Sequence, residues 1–173
     1  MSEDIIIRLF TDKDLDSVVE VNKTSLPENY APYFFLEIFY KYPKGFWVAE
    51  DPKNGKIIGY CMWRIEKTFS YFKRSFRRIR NAHLISIAVL EDYRRRKIGE
   101  RLLKKGMEAM RIYYHAEEYY LEVRISNESA IKLYEKNNFK KIKVINGYYK
   151  DGEDAYLMAR GIENINYGIE NIN

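Results

Sequence analysis

The chain has a single cysteine, Cys61, in 173 residues. That excludes an internal disulfide and any multi-cysteine metal centre, and it fits a reducing compartment. Long apolar runs are also missing: none approaches the roughly 20 residues that a membrane-spanning helix needs. The opening MSEDIII has no basic region ahead of an apolar stretch, so no secretory signal is expected and the predicted location is the cytoplasm. No linker divides the sequence, and its one repeat, IENIN at residues 162–166 and 169–173, is far too short for a solenoid. A disordered composition is excluded too, since 46% of residues are hydrophobic and 32% charged. The expectation is one domain over residues 1–161 and a tail, 162–173, of unknown role.

Charge is present in both signs, 30 Lys and Arg against 25 Asp and Glu, but the cations are bunched. Lys73, Arg74, Arg77, Arg78 and Arg80 form one cluster; Arg94, Arg95, Arg96 and Lys97 form the other. A positive field draws polyanions of every kind, so nucleotide cofactors, ribosomal RNA and acidic peptides are all admitted.

Residues 5–10 are a short β-branched run. Thr11 can cap a helix whose first turn carries Asp12 and Asp14, and Leu15, Val18, Val19 and Asn22 recur at helical spacing. Residues 33–40, just past Pro32, suit a second helix. GFWVAE and KIIGYCMWRIE, joined by DPKNG, read as a hairpin. A basic loop, 68–81, leads to a third apolar strand, HLISIAVL. Ile98, Leu102, Leu103, Met107, Met110 and Ile112 or Tyr113 mark one face of a helix of about four turns. YYLEVR is another strand, SNES opens another helix, and FKKIKVINGYYKDGEDAYLMAR closes as a long hairpin. The predicted fold is α/β (α+β): a mixed, mostly antiparallel sheet of about seven strands, flanked by about four helices on its two faces, with a crossover at its centre.

The stretch EDYRRRKIGE lies between the third apolar strand and the helix after it. The first amides of a helix lack intrahelical partners and the dipole there is positive, so this junction suits an anion. Arg94, Arg95, Arg96 and Lys97 add cations, and Gly99 lets backbone approach a phosphate closely. A solvated charged turn explains the same residues.

SIAVLEDYRRRKIGERLL resembles the acetyl-CoA pyrophosphate loop of the GNAT N-acetyltransferases, whose pattern is Arg or Gln, two residues, Gly, one residue, Gly or Ala. Arg94, Lys97 and Gly99 fall on those places, with Lys97 where the first glycine usually stands. LPENYAPYFF, HLISIAVLEDYRRR, YLEVRISNESAIKLYEKNNF and GYYKDGEDAYLMAR extend the resemblance over residues 5–160, to the catalytic subunit of archaeal N-terminal α-acetyltransferases. The implied activity is transfer of acetyl from acetyl-CoA to the α-amine of protein N-termini beginning Ser, Ala or Thr, with Met-Leu and Met-Glu as further candidates.

The resemblance also implies roles. Ile87, Ala88 and Val89 form the strand edge that pairs with the pantetheine arm, and the Val89 N–H polarises the thioester carbonyl. Arg94, Arg95, Arg96, Lys97, Ile98, Gly99 and Glu100 take the pyrophosphate. Asn127 bonds the pantetheine and Tyr134 lies beside the sulfur, although Asn127 is also a good N-cap and Tyr134 falls on an apolar helical face. His83 and Glu122 act together as base through a water, Glu28 serves catalysis and shapes the peptide site, and Tyr30, Tyr148 and Tyr149 bind the substrate N-terminus.

The chemistry asks for such residues independently. An α-amine of pKa near 8 is only about a tenth free base at neutral pH, so something must take its proton. His83 is expected to share a face with Ile85 and Ile87 by alternation. Glu122 is a carboxylate inside an apolar strand, costly there without a partner or a task. The two could hold a divalent ion, but two ligands make a weak site and no metal is predicted. Cys61 is the one thiol that could carry a covalent route and it lies in an apolar strand, so direct attack in a ternary complex is expected. Two alternatives remain: acetylation of lysine side chains or small amines, and RNA or ribosome docking through the basic loop 68–81, where Phe72 and Phe76 interleave with cations.

Overall fold

A computed structural model describes residues 4–74 and 76–162; of the IENIN repeat only Ile162 is among them. The elements are β1 (Ile6–Leu9), α1 (Leu15–Ser25), α2 (Pro32–Lys41), β2 (Phe46–Asp51), β3 (Lys56–Thr68), β4 (Ile79–Val89), α3 (Ile98–Tyr114), β5 (Glu118–Arg124), α4 (Glu128–Lys136), β6 (Lys140–Ile145) and β7 (Ala155–Gly161). This is the expected succession, and its local causes are visible. The Thr11 N–H donates to Asp14 at 2.9 Å in the turn before α1, and Asp14 receives both terminal nitrogens of Arg8 at 2.7 and 2.8 Å, which ties β1 to that turn. Pro32 takes the first position of α2, where its missing N–H costs nothing. Between β2 and β3, Gly55 at φ +68° closes back on the Asp51 carbonyl.

The strands form one sheet in the order β1-β2-β3-β4-β5-β7-β6. Every neighbouring pair is antiparallel except β4 and β5, the parallel pair that α3 connects. One apolar cluster, including Trp63, Leu102, Leu103, Met110 and Leu121, lies between the sheet and α3, but the apolar stripe of α3 ends at Met110, and the expected continuation at Ile112 or Tyr113 is not found: both are exposed in the helix's last turn. A second, with Val18, Phe35, Phe46, Tyr60 and Met62, lies on the other face beneath α1 and α2. In α3 a Cβ at Gly106 would collide with the Trp63 indole, so the helix owes its seat to that glycine. No described helix is long and apolar enough to cross a membrane.

Two features of β4 position the site. Its ladder with β5 runs only from Asn81↔Glu118 to His83↔Tyr120; beyond it the strands part, and residues 84–89 edge a cleft. Opposite β3, Met62 pairs with Ser86 but Trp63 with Leu84, so Ile85 is an extra residue, a β-bulge. The bulge corrects the alternation expected for His83. Ile85 and Ala88 pack beneath α1 and α2, while Leu84, Ile87 and Val89 pack with the α3 cluster, so His83 and Ile87 do not share a face.

The predicted loop 68–81 is also shorter than expected. β3 runs to Thr68 and β4 starts at Ile79, because buried polar groups pin the loop's ends: the Tyr71 N–H donates to Glu118 at 2.9 Å and Asn81 to the Phe69 carbonyl at 3.3 Å. The Phe76 side chain is fully exposed.

Candidate active site

A cleft of about 1450 Å³ opens where β4 and β5 part. Its walls are the free edge of β4, the start of α3, one side of α4, and the loops joining α1 to α2 and β6 to β7. At one end lies the cationic turn. The first backbone bond of α3 runs from Arg101 N–H to Lys97 O at 3.0 Å, so the amides of Ile98, Gly99 and Glu100 precede the helical ladder and line the cleft with their residues. Arg95 and Lys97 have φ of 62° and 59°, in the left-handed region. The glycine usual at the Lys97 position therefore has a backbone reason, and lysine sits there against its conformational preference.

The predicted phosphate ligands divide on inspection. The Arg94 Nε donates to the Val89 carbonyl at 3.0 Å, holding the turn against β4. Arg95 and Lys97 line the cleft. Arg96 lies over the Tyr93 ring at 5.2 Å and bonds the Asp92 carbonyl, away from the cleft lining. The Glu100 carboxylate pairs with Lys104 at 2.8 Å and Lys136 at 2.7 Å, which hold its pKa down to about 2 and neutralise a charge adverse to an anion. A Cβ on Gly99 would meet Leu133 and Val89 only at 3.7 and 3.9 Å, so the protein itself does not require glycine there.

Ile87, Ala88 and Val89 run along the cleft edge, with Asn127 and Tyr134 across from them. Asn127 does cap α4, accepting from the Ala130 N–H at 3.2 Å. Tyr134 is 5% exposed, and burial raises its phenol pKa, so the hydroxyl stays protonated. Cys61 is wholly buried, its thiol donates to the Leu102 carbonyl at 3.3 Å, and burial pushes its pKa up to about 12.

His83 and Glu122 meet as expected, Nε2 to Oε2 at 2.7 Å. Sequence reasoning missed what holds them. On its other side the His83 Nδ1 lies 3.0 Å from Glu66, and the ring stacks on Tyr120 at 4.2 Å. Glu66 also accepts from Arg64 Nε and the Tyr120 hydroxyl, both at 2.6 Å. Burial favours neutral His83, but the carboxylates of Glu122 and Glu66 outweigh it and raise the ring's pKa above its ordinary value. The hydrogen bond from His83, with that from Tyr120 behind it, holds Glu66 well below the usual carboxylate range despite its burial.

At the far end, Arg124 joins two loops. Its Nε donates to Glu28 at 2.9 Å, its Nη1 to Asp151 and Glu153 at 2.8 and 2.6 Å, and its guanidinium lies 4.0 Å from the Tyr149 ring centre. Tyr30 stacks on Phe34, and its hydroxyl reaches towards the Ile85 carbonyl at 3.4 Å. Burial, then the charge of Glu122, pushes Tyr148 up to about 12. A signal for Arg64 and Glu66 existed in the sequence: the apolar run of β3 ends in R-I-E, a switch to alternation that puts both polar side chains on one face. Among the described residues, no group of three His, Cys, Asp or Glu side chains could hold a metal ion.

The chain is 52% identical over 147 residues to an N-alpha-acetyltransferase of Saccharolobus solfataricus, covering 85% of this chain and 87% of that protein. It is 34% identical to the N-terminal acetyltransferase A complex catalytic subunit NAA10 of Arabidopsis thaliana, covering 92% and 79%. The crystal structure of Ard1 from Thermoplasma volcanium superposes with a TM-score of 0.76 at 29% identity, covering 91% of this chain and 97% of that one. The model of the acetyltransferase (GNAT) family matches residues 15–139, and the chain belongs to that family.

Proposed function

We propose that the chain acetylates the α-amino group of protein N-termini from acetyl-CoA, in the cytoplasm and by direct attack. The observation that carries this is one cleft with an anion-binding helix start at one end and the His83–Glu122 pair at the other. Open α3 amides, nearby cations and a free strand edge are the donor set that a nucleotide pyrophosphate with an amide-bearing arm needs. Residues 94, 95 and 97–100 hold the pyrophosphate; Ile87, Ala88, Val89 and Asn127 hold the arm. Acetyl-CoA supplies an acetyl thioester, whose C–S bond breaks as the amide C–N bond forms.

The chain's own residues handle the protons. Glu122 and His83 receive the proton of the amine through a water, a service worth about 10²–10⁴-fold in comparable sites. The Val89 N–H polarises the thioester carbonyl, and Tyr134 gives its proton to the departing sulfur. Glu28, Tyr30, Tyr148 and Tyr149 hold the first substrate residues, with Arg124 bracing Glu28 against the β6–β7 loop. The names of the relatives support an α-amine over a lysine side chain. The Arabidopsis relative is the subunit of a complex, which extends the proposal to an auxiliary subunit here. The exposed Phe69, Phe72 and Phe76 among cations suit ribosomal RNA as a further partner.

The test is incubation with acetyl-CoA and peptides beginning Ser, Ala, Thr, Met-Leu or Met-Glu, each with an internal lysine. Mass mapping is expected to find acetyl on the α-amine. Acetyl on lysine alone overturns the reading.

A further inference from the structure

We propose that Glu66 is a positioning residue for the transfer, fixing the proton of His83 on Nδ1 and aiming Nε2 at Glu122; this rests on the reading of His83 and Glu122 as the base. Three donors meet on the Glu66 carboxylate: His83 Nδ1 at 3.0 Å, the Tyr120 hydroxyl at 2.6 Å and Arg64 Nε at 2.6 Å. A carboxylate so held is ionised and can only accept, so the imidazole nitrogen facing it carries a hydrogen whether the ring is neutral or charged. The nitrogen whose state can change is then Nε2, which lies 2.7 Å from Glu122. Stacking on Tyr120 sets the ring plane, and the side chain of Tyr120 is itself anchored on Glu66, so one carboxylate fixes both the tautomer and the tilt.

The topology makes this arrangement specific. Glu66 stands on β3, His83 on β4 and Glu122 on β5, and His83 is the last residue of β4 paired to β5 before the cleft opens. The charged and titratable groups around the ring are Arg64 and Glu66 from β3, Tyr120 and Glu122 from β5, with Tyr71, Tyr30 and Tyr148 from the surrounding loops. Glu66 and Glu122 are the carboxylates in hydrogen-bonding reach of it. The order carboxylate, imidazole, base repeats the logic by which an orienting acid serves an acid–base histidine in other enzymes.

The test is Glu66→Gln, which keeps the shape and removes the charge. The chain has two histidines, and His115 is exposed, so the His83 ring can be followed by NMR through a pH titration. The His83 midpoint is expected to fall by at least about one pH unit. The acid limb of kcat/KM should move down with it, and kcat should drop roughly ten- to a hundredfold while the peptide KM stays within about twofold. In a His83→Ala background the same substitution should cost nothing further. Glu66→Asp, which keeps the charge, should restore both midpoint and kcat towards the parent, and it also serves if the glutamine variant fails to fold. An unmoved His83 midpoint, an equal loss in the His83→Ala background, or no recovery with aspartate overturns the positioning role. Near-normal turnover of His83→Ala would instead sink the base reading beneath it.

Discussion

Replacing Lys97 by glycine should stabilise the fold and weaken acetyl-CoA binding. Lys97 sits at φ 59°, ψ 13°, just before α3, and its side chain is exposed with no ion pair among the described residues. A non-glycine residue in this region costs roughly 1–2 kcal/mol. Glycine gives back about 0.5–1 kcal/mol through its freer unfolded chain, leaving a net gain near 0.5–1 kcal/mol. For a domain of this size that is about 1–4 °C in Tm. The opposite effect falls on the ligand. A cation beside a pyrophosphate at a solvated cleft mouth contributes roughly 1 kcal/mol, so its loss should raise Kd about fivefold. That difference should shrink with added salt. Thermal unfolding and calorimetric titration with acetyl-CoA read the two halves separately. Lys97→Asn, which tolerates the left-handed region better than lysine and carries no charge, should lose affinity like glycine. A lower Tm for Lys97→Gly would refute the strain argument, and unchanged affinity at low salt would refute the lysine's role as a ligand.

Gly99→Ala should leave Tm unchanged or higher, since the protein has room for the methyl, yet raise Kd for acetyl-CoA several-fold by filling the cleft side; calorimetry checks it. Cys61→Ala should keep turnover within about twofold while costing about 1 kcal/mol of stability, and an inactive but folded variant would refute direct transfer. The His83→Ala, Glu122→Ala double variant should lose at least about a hundredfold in kcat with acetyl-CoA affinity retained, measured by steady-state kinetics and titration. Arg124→Ala should raise the peptide KM about tenfold, because Glu28, Asp151 and Glu153 lose their shared partner and the two loops part; acetyl-CoA KM is the control. The raised pKa of His83 means its charged form is favoured by folding. Its contribution is therefore fully present below its unfolded pKa near 6.5 and fades as pH rises through the folded value. Chemical unfolding of the parent and His83→Gln should show a gap that is widest at low pH and closes on raising it.

What the sequence made legible was local. Helix starts were readable because Pro32 and Asn127 act within one turn, and the cationic turn was readable because strand, loop and helix are consecutive. The pairing of His83 with Glu122, 39 residues apart, came from resemblance and not from pattern. Glu66 was missed because its meaning depends on register across two strands: only the pairing of β3 with β4 brings it within 3.0 Å of His83. The bulge at Ile85 was missed for a related reason. Period-2 alternation assumes one residue for one across a ladder, and nothing in HLISIAVL announces the extra residue; it exists only relative to Met62 and Trp63. Yet the bulge lets one strand serve two functions. Before it, β4 presents His83 to the polar network of Glu66 and Glu122; after it, Ile87 and Val89 turn to the α3 core while the backbone edge lines the cleft. Deleting Ile85 would leave Trp63 opposite Leu84 and Met62 opposite Ser86 in an unbroken ladder, with Ser86, Ile87, Ala88 and Val89 still on their present faces, so the strand's change of face between His83 and Ile87 rests on one inserted residue that alternation could not predict.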